Sequence, residues 1–237
     1  MKEIKDRDRM NAYFNEYDLA KVLPEPLREH LALYRFEPEE ALCLQGEEAH
    51  YLFVLVQGKV KVFTTSSEGK TLLINFMTPL GVIGEIECIR GVENLNTVTA
   101  VTPVEAIGLH KRWLSQYEEE ASLLRFLLDM VTEKFYLKSI SLSFNLLHPV
   151  EVRLASYLLS VSVENDKGVH SNVNLSDLKD TANMIGTSYR HLNRVLQSFC
   201  SHGLVERRRG TLLVNDRTGL TAVAGRNIYE TGQRREN

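Results

Sequence analysis

The spacing of apolar residues changes twice along this chain, and each change marks a different kind of structure. In the first 35 residues Tyr13, Phe14, Tyr17, Leu19 and Leu23 recur at helix-like intervals until Pro24 and Pro26 interrupt them. From about Phe36 the chain breaks into short runs rich in β-branched and aromatic residues, at 41–44, 51–56, 60–64, 71–76, 97–101 and 104–109. Polar turns carrying Gly46, Gly58 and Gly69 separate the first four. Short strands at such intervals predict an antiparallel β-roll or barrel.

From about Trp113 to Leu147 there is neither Gly nor Pro, and the helical period returns. Ala121, Leu124, Leu128, Val131, Phe135 and Leu142 form a heptad-like stripe, broken by Lys138. Leu123, Leu127, Met130, Leu137 and Phe144 form a second. A helix with two apolar stripes has two surfaces to cover. The expectation is that one stripe lies on the roll and that Leu124, Leu128, Val131, Phe135 and Leu142 meet the same helix of a second copy. Pro149 ends the helix, and residues 151–163 make another, with Leu154, Tyr157, Leu158 and Val161 on one face. The pattern divides the chain into a roll (1–112), a dimerisation helix (113–148) and a C-terminal domain (149–237).

Within that last part, residues 178–199 read as a helix, a tight turn and a second helix. Ser176 is placed to cap the first helix, with Asp177 and Asp180 at its positive end. Leu178, Ala182 and Ile185 form its buried side, and Gly186 permits the left-handed turn. Ser188 caps the second helix, and Leu192, Val195, Leu196 and Phe199 face inward. Tyr189, Arg190, Asn193, Arg194 and Gln197 share the other face. This is the pattern of a helix-turn-helix whose second helix enters the DNA major groove. Arg reads guanine edges and Asn or Gln reads adenine, at about 1–3 kcal/mol of discrimination per contact. Tyr189, Arg190 and Arg194, near the helix start, are placed to reach bases. Thr187 and Ser188 suit phosphate, and His191 is a candidate for the same. After His202-Gly203, two short strands around Arg207, Arg208, Arg209 and Gly210 predict a β-hairpin wing with a phosphate grip.

Charge agrees with this division. The net charge of −3 hides an asymmetry: residues 174–237 carry ten Lys/Arg against six Asp/Glu, a balance of +4, and the rest carries 18 against 25, a balance of −7. A basic end on an acidic body suits contact with a polyanion at one end. The charged start lacks the apolar core of a secretory signal, no apolar run is long enough to span a membrane, and the three cysteines are scattered. These features predict a cytoplasmic, reduced protein without membrane association.

The roll, long helix and winged helix-turn-helix together resemble the cAMP receptor/FNR (CRP/FNR) family of bacterial transcription regulators, from about Glu37 to Val214. Ile83-Gly84-Glu85-Ile86-Glu87 and Ser188-Tyr189-Arg190-His191-Leu192 resemble its YeiL-like branch. The resemblance implies an α+β fold with a cyclic-nucleotide-binding-like jelly roll as effector domain. It also implies a homodimer on a roughly palindromic double-stranded DNA site, with RNA polymerase as partner, and no catalysis. In cAMP-binding members a short helix opens with Gly-Glu, matched here by Gly84-Glu85, and is followed by an Arg-Ser pair whose Arg holds the cyclic phosphate. That pair falls near Asn94-Leu95, and neither residue supplies a positive charge. A phosphate without a cationic partner is costly to bury. Dependence on cAMP is therefore not expected; Gly84, Glu85, Asn94 and Leu95 mark a pocket whose effector the sequence leaves unnamed.

Cys43, Cys88 and Cys200 are too few for an intrachain four-cysteine iron–sulfur cluster. His50 and His110 stand isolated in the sequence, without a haem-ligating arrangement. A cyclic-nucleotide or Cys43/Cys88 thiol gate is the alternative reading. A metal-dependent β-barrel enzyme with an accessory helical module is a remote one, because the roll segments lack a clustered His/His/carboxylate set. No metal site and no catalytic grouping is predicted.

Overall fold

A computed structural model of the chain describes residues 1–117, 119–162, 172–174, 178–208, 211–225 and 230–231. Side chains are described outside 115, 137–138, 140–147, 172–174 and 230–231. Ser176, Asp177, Arg209 and Gly210, singled out above, lie outside the described residues, as do the side chains of Leu137, Lys138, Leu142 and Phe144.

The N-terminal part is not simply helical. It runs β1 (Lys2–Ile4), α1 (Arg7–Glu16), a 3-10 turn (Leu19–Lys21), α2 (Glu25–Arg28) and β2 (Leu31–Phe36). The roll thus begins five residues before the change of period at Phe36. It continues through β3 (Ala41–Cys43), β4 (Tyr51–Gln57), β5 (Val60–Thr65), β6 (Thr71–Met77), β7 (Val82–Ile83), α3 (Glu85–Arg90), β8 (Thr97–Ala100) and β9 (Val104–His110). One antiparallel sheet has the order β1-β2-β9-β4-β7. A second sheet holds β3 beside β8, paired through Ala41–Thr99 and Cys43–Val98. β9 is buried along almost its whole length, which fits a run of Val, Ala, Ile and Leu at the centre of a sheet.

The long helical stretch divides. α4 (Lys111–Leu114) and a 3-10 turn (Ser115–Tyr117) precede α5 (Ala121–Leu147), whose first helical bond runs from Leu124 N–H to the Glu120 carbonyl at 3.0 Å. Leu123, Phe126 and Leu127 of α5 are buried in a core with Leu52, Val54, Val56, Val82, Ile107 and Leu109 of the roll. Met130 packs against the same core. Leu123, Leu127 and Met130 of the second stripe therefore lie on the roll, as their spacing predicts. On the other, Leu124, Leu128 and Phe135 are exposed, Phe135 by 73%, and Val131 is half-buried.

α1 is fastened to the roll by polar contacts. Buried Glu105 of β9 accepts a 2.6 Å ion pair from Arg9 and a 2.9 Å hydrogen bond from the Tyr13 hydroxyl. Desolvation raises the Tyr13 phenol above its ordinary range, so it stays a donor at neutral pH.

Contacts group Met1–Val62 with Met77–Lys138 as one compact unit and Phe63–Phe76 with Ser139–Gln233 as another. The second contains α6 (Val150–Val161), β10 (Asn172–Asn174), α7 (Leu178–Met184), α8 (Tyr189–Ser201), β11 (Val205–Arg208), β12 (Thr211–Val214) and α9 (Arg217–Ala224). α6 packs on α8 and α9. The wing has three strands, in the order β10-β12-β11. Sequence reading finds the last two and misses β10, which lies in a polar stretch without strand character.

Candidate nucleic-acid interface and ligand pocket

The turn between α7 and α8 is built by three residues. Gly186 takes the left-handed conformation, φ 65°. Its N–H donates to the Asn183 carbonyl at 2.9 Å, and the Thr187 N–H returns to the Ala182 carbonyl at 2.8 Å, closing the end of α7. Ser188 then caps α8, its hydroxyl accepting from the His191 N–H at 3.2 Å. Arg153 of α6 is the part that sequence reading missed. Its guanidinium donates to the carbonyls of Ile185 at 2.5 Å and Gly186 at 3.2 Å, where the helix end is negative. Its Nε is buried without a partner, so the turn contacts carry the guanidinium.

Leu192, Val195, Leu196 and Phe199 are buried, as the spacing of α8 requires. Ser188, Tyr189, Arg190, His191, Asn193, Arg194 and Gln197 line one open concavity on the opposite side. Tyr189, Arg190, Arg194 and Gln197 are exposed, and His191, Asn193 and Thr187 are half-buried. Asn193 is engaged at both ends of its amide. Its Nδ2 donates to the Tyr189 carbonyl at 3.1 Å, and its Oδ1 accepts from Arg207 Nη2 at 2.6 Å. Arg207 thus reaches from β11 onto α8. Arg208 turns to Glu206 in a forked pair, Nε to Oε1 at 3.0 Å and Nη2 to Oε2 at 3.2 Å. That pair holds the Glu206 carboxyl below its usual range and raises Arg208.

In the roll, Gly84 has φ 87°, and a Cβ there would lie 2.5 Å from the Tyr51 carbonyl oxygen, so only glycine fits. Glu85, at the start of α3, is 2% exposed. It is held by Lys134 of α5: Nζ stands 2.7 Å from Oε1 and also donates to the Val82 carbonyl. Asn94 is buried, with its backbone committed to Glu47 and Gly46. Leu95 points out, 50% exposed, its N–H donating to Glu87 Oε1 at 3.2 Å. Residues 91–104 contain no Lys or Arg. Leu95 is tied to α3 through Glu87, and the segment that carries Asn94 and Leu95 brings no cation of its own.

Burial is the main cause that lifts the Cys43 thiol to about 12 and the Cys88 thiol to about 11; neighbouring Glu87 adds to both. At neutral pH both are protonated, the opposite of what a reactive thiolate requires. His50 and His110, isolated in the sequence, are brought together across β4 and β9 with ring centroids 6.2 Å apart. Burial and the cations Arg112 and Lys111 favour the neutral form of His110. Among the described residues no three His, Cys, Asp or Glu side chains gather as a metal site, and no helix is long and apolar enough to cross a membrane.

A β-roll joined to a helix-turn-helix with a strand wing, its second helix capped and presenting Arg190 and Arg194, defines the DNA-binding transcription regulators. Residues 33–118 match the family model of the cyclic nucleotide-binding domain, and residues 152–223 match the Crp-like helix-turn-helix domain. The chain is similar to regulatory protein YeiL of Escherichia coli O157:H7, at 28% identity over 81% of this chain and 85% of that one. It is similar to the cAMP-activated global transcriptional regulator CRP of Salmonella typhimurium, at 22% identity over 78% and 90% of the two chains. Among solved structures, a putative crp/fnr-family transcriptional regulator from Eubacterium rectale covers 91% of this chain, with 100% of its own length, at TM-score 0.73 and 16% identity. The chain belongs to the CRP/FNR family of transcription regulators, with a YeiL-like sequence, and is not an enzyme. The reading as a metal-dependent barrel enzyme is thereby set aside.

Proposed function

We propose that the protein is a homodimeric, sequence-specific regulator that reads a roughly palindromic DNA site with α8 and does so without cAMP. The observation that carries the DNA reading is the outer face of α8. Arg190 and Arg194 are exposed, four residues apart on one helical face, with Tyr189 beside them and a capped helix start that offers backbone N–H groups to phosphate. Arg207 and Arg208 lie on the adjacent strand, where cations add a sequence-independent attraction. Leu124, Leu128, Val131 and Phe135 supply a 4-3-4 stripe, the spacing of a two-helix seam, with Leu124, Leu128 and Phe135 exposed. Two copies joined along that seam would present two recognition helices, which matches a site with two-fold symmetry. RNA polymerase as partner and the cytoplasm as location follow from the family. The relative from Salmonella is described as cAMP-activated; here the absence of Lys and Arg from 91–104 supports a different arrangement.

The test is selection of the bound sequence from a random DNA pool, followed by titration of Arg190→Ala and Arg194→Ala. Each substitution is expected to remove about 1–3 kcal/mol of discrimination between the selected site and its single-base variants. Unchanged discrimination in both variants refutes direct reading by α8.

A further inference from the structure

The second stripe of α5 contains an anomaly. Leu123, Leu127 and Met130 face the roll at spacings of four and three, and the next position in that rhythm is Lys134. A lysine there points its ammonium at the interior. It meets the Glu85 carboxylate at 2.7 Å and also donates to the Val82 carbonyl. The Glu85 side chain is 3% exposed and that of Lys134 25%. One side chain of α5 thereby ties together the end of β7, the start of α3 and the helix itself.

We propose that Lys134 is an internal ligand of the roll: its tethered ammonium occupies the Glu85 carboxylate and holds α5 on the roll with no bound nucleotide. The proposal rests on the cAMP-independent reading above and supplies its mechanism. A sugar hydroxyl competing for Glu85 would replace a charge-assisted bond with a neutral one and strand the lysine ammonium. The segment 91–104 offers no cation to offset that loss. The pair is intramolecular, so it is present at any concentration of small molecules, and the docking of α5 becomes a fixed property of the fold.

The test uses the full-length protein, Lys134→Met, which keeps the aliphatic stem, and Glu85→Gln, which keeps the carboxylate's shape. Wild-type protein is expected to bind its selected DNA without additive. Titration calorimetry with millimolar cyclic AMP or cyclic GMP should give no binding heat, and neither nucleotide should change DNA affinity more than about twofold. Each variant should lose about tenfold or more in DNA affinity, because either leaves a charged or polar group unpaired beside the α5 contact. If Lys134→Met does not fold, Glu85→Gln carries the same comparison. Saturable binding of either nucleotide to wild type, or DNA affinity unchanged in both variants, overturns the proposal. A wild-type protein that takes no nucleotide and binds no DNA, while Glu85→Gln increases hydrogen exchange at 82–85, refutes the DNA reading and leaves the internal ligand standing.

Discussion

At the scale of single residues, the feature that most changes the view of α8 is the bond from Arg207 to Asn193. Spacing alone puts Asn193 on the outer face and offers it to adenine, and puts Arg207 in a phosphate grip. The structure joins them: the Asn193 amide is turned by its own helix backbone and by Arg207, and the Arg207 guanidinium keeps further N–H groups for DNA. The two side chains then act together. In a double-mutant cycle, the losses of DNA affinity for Arg207→Ala and Asn193→Ala are expected to fall short of additivity by about 0.5 kcal/mol or more. Binding measured on the selected site for both singles and the double checks this; strict additivity refutes it. No sequence pattern holds such a contact, because Arg207 and Asn193 meet only when β11 folds back beside α8. Lys134 differs. It stands at the next position of a stripe that was legible, and its charge left it out of a stripe read from Met130 directly to Leu137.

Among elements, the helix-turn-helix was the most legible, because each of its parts is local. Gly186 supplies the left-handed turn and Ser188 the cap, and four apolar residues turn one face of α8 inward. Less legible was what fixes the turn in place. Arg153 lies on α6, more than thirty residues earlier, and reads in the sequence as an ordinary surface arginine. Its hydrogen bonds to Ile185 and Gly186 make α6 a brace for the entry to α8. Arg153→Met is expected to cost about 1–3 kcal/mol by leaving these carbonyls unpaired. Urea unfolding measures that loss, and DNA affinity should fall similarly for specific and mutated sites. The break between α4 and α5 was hidden for a different reason: residues 115–120 contain no Gly or Pro, so nothing in the sequence punctuates the turn. β2 was hidden by burial, since Leu31–Phe36 lacks the strict alternation of a half-exposed strand.

For the whole molecule, the surface that matters most is the exposed stripe of α5. Leu128 is 65% exposed and Phe135 73%, with Tyr136 also exposed beside them. Large apolar side chains in a row along one helix mark an association surface. Leu128→Glu and Phe135→Glu should convert a dimer into monomers in sedimentation at micromolar protein, and lower DNA affinity with it. Monomeric wild type under those conditions refutes the seam. The asymmetry of charge, +4 at the C-terminal end against −7 elsewhere, favours an orientation in which only α8 and the wing approach DNA. Salt should therefore weaken binding to every sequence.

β1 has a consequence that concerns solubility rather than regulation. Lys2–Ile4 pairs with Leu33–Arg35 along the outer side of β2, and so closes an edge of the five-stranded sheet. Without it, the unpaired N–H and C=O groups of an apolar strand would face solvent, a template on which other chains pair. The charged side chains of Lys2 and Glu3 make the replacement edge a poor one for further strands. Three residues at the margin of the fold thus guard the roll against aggregation.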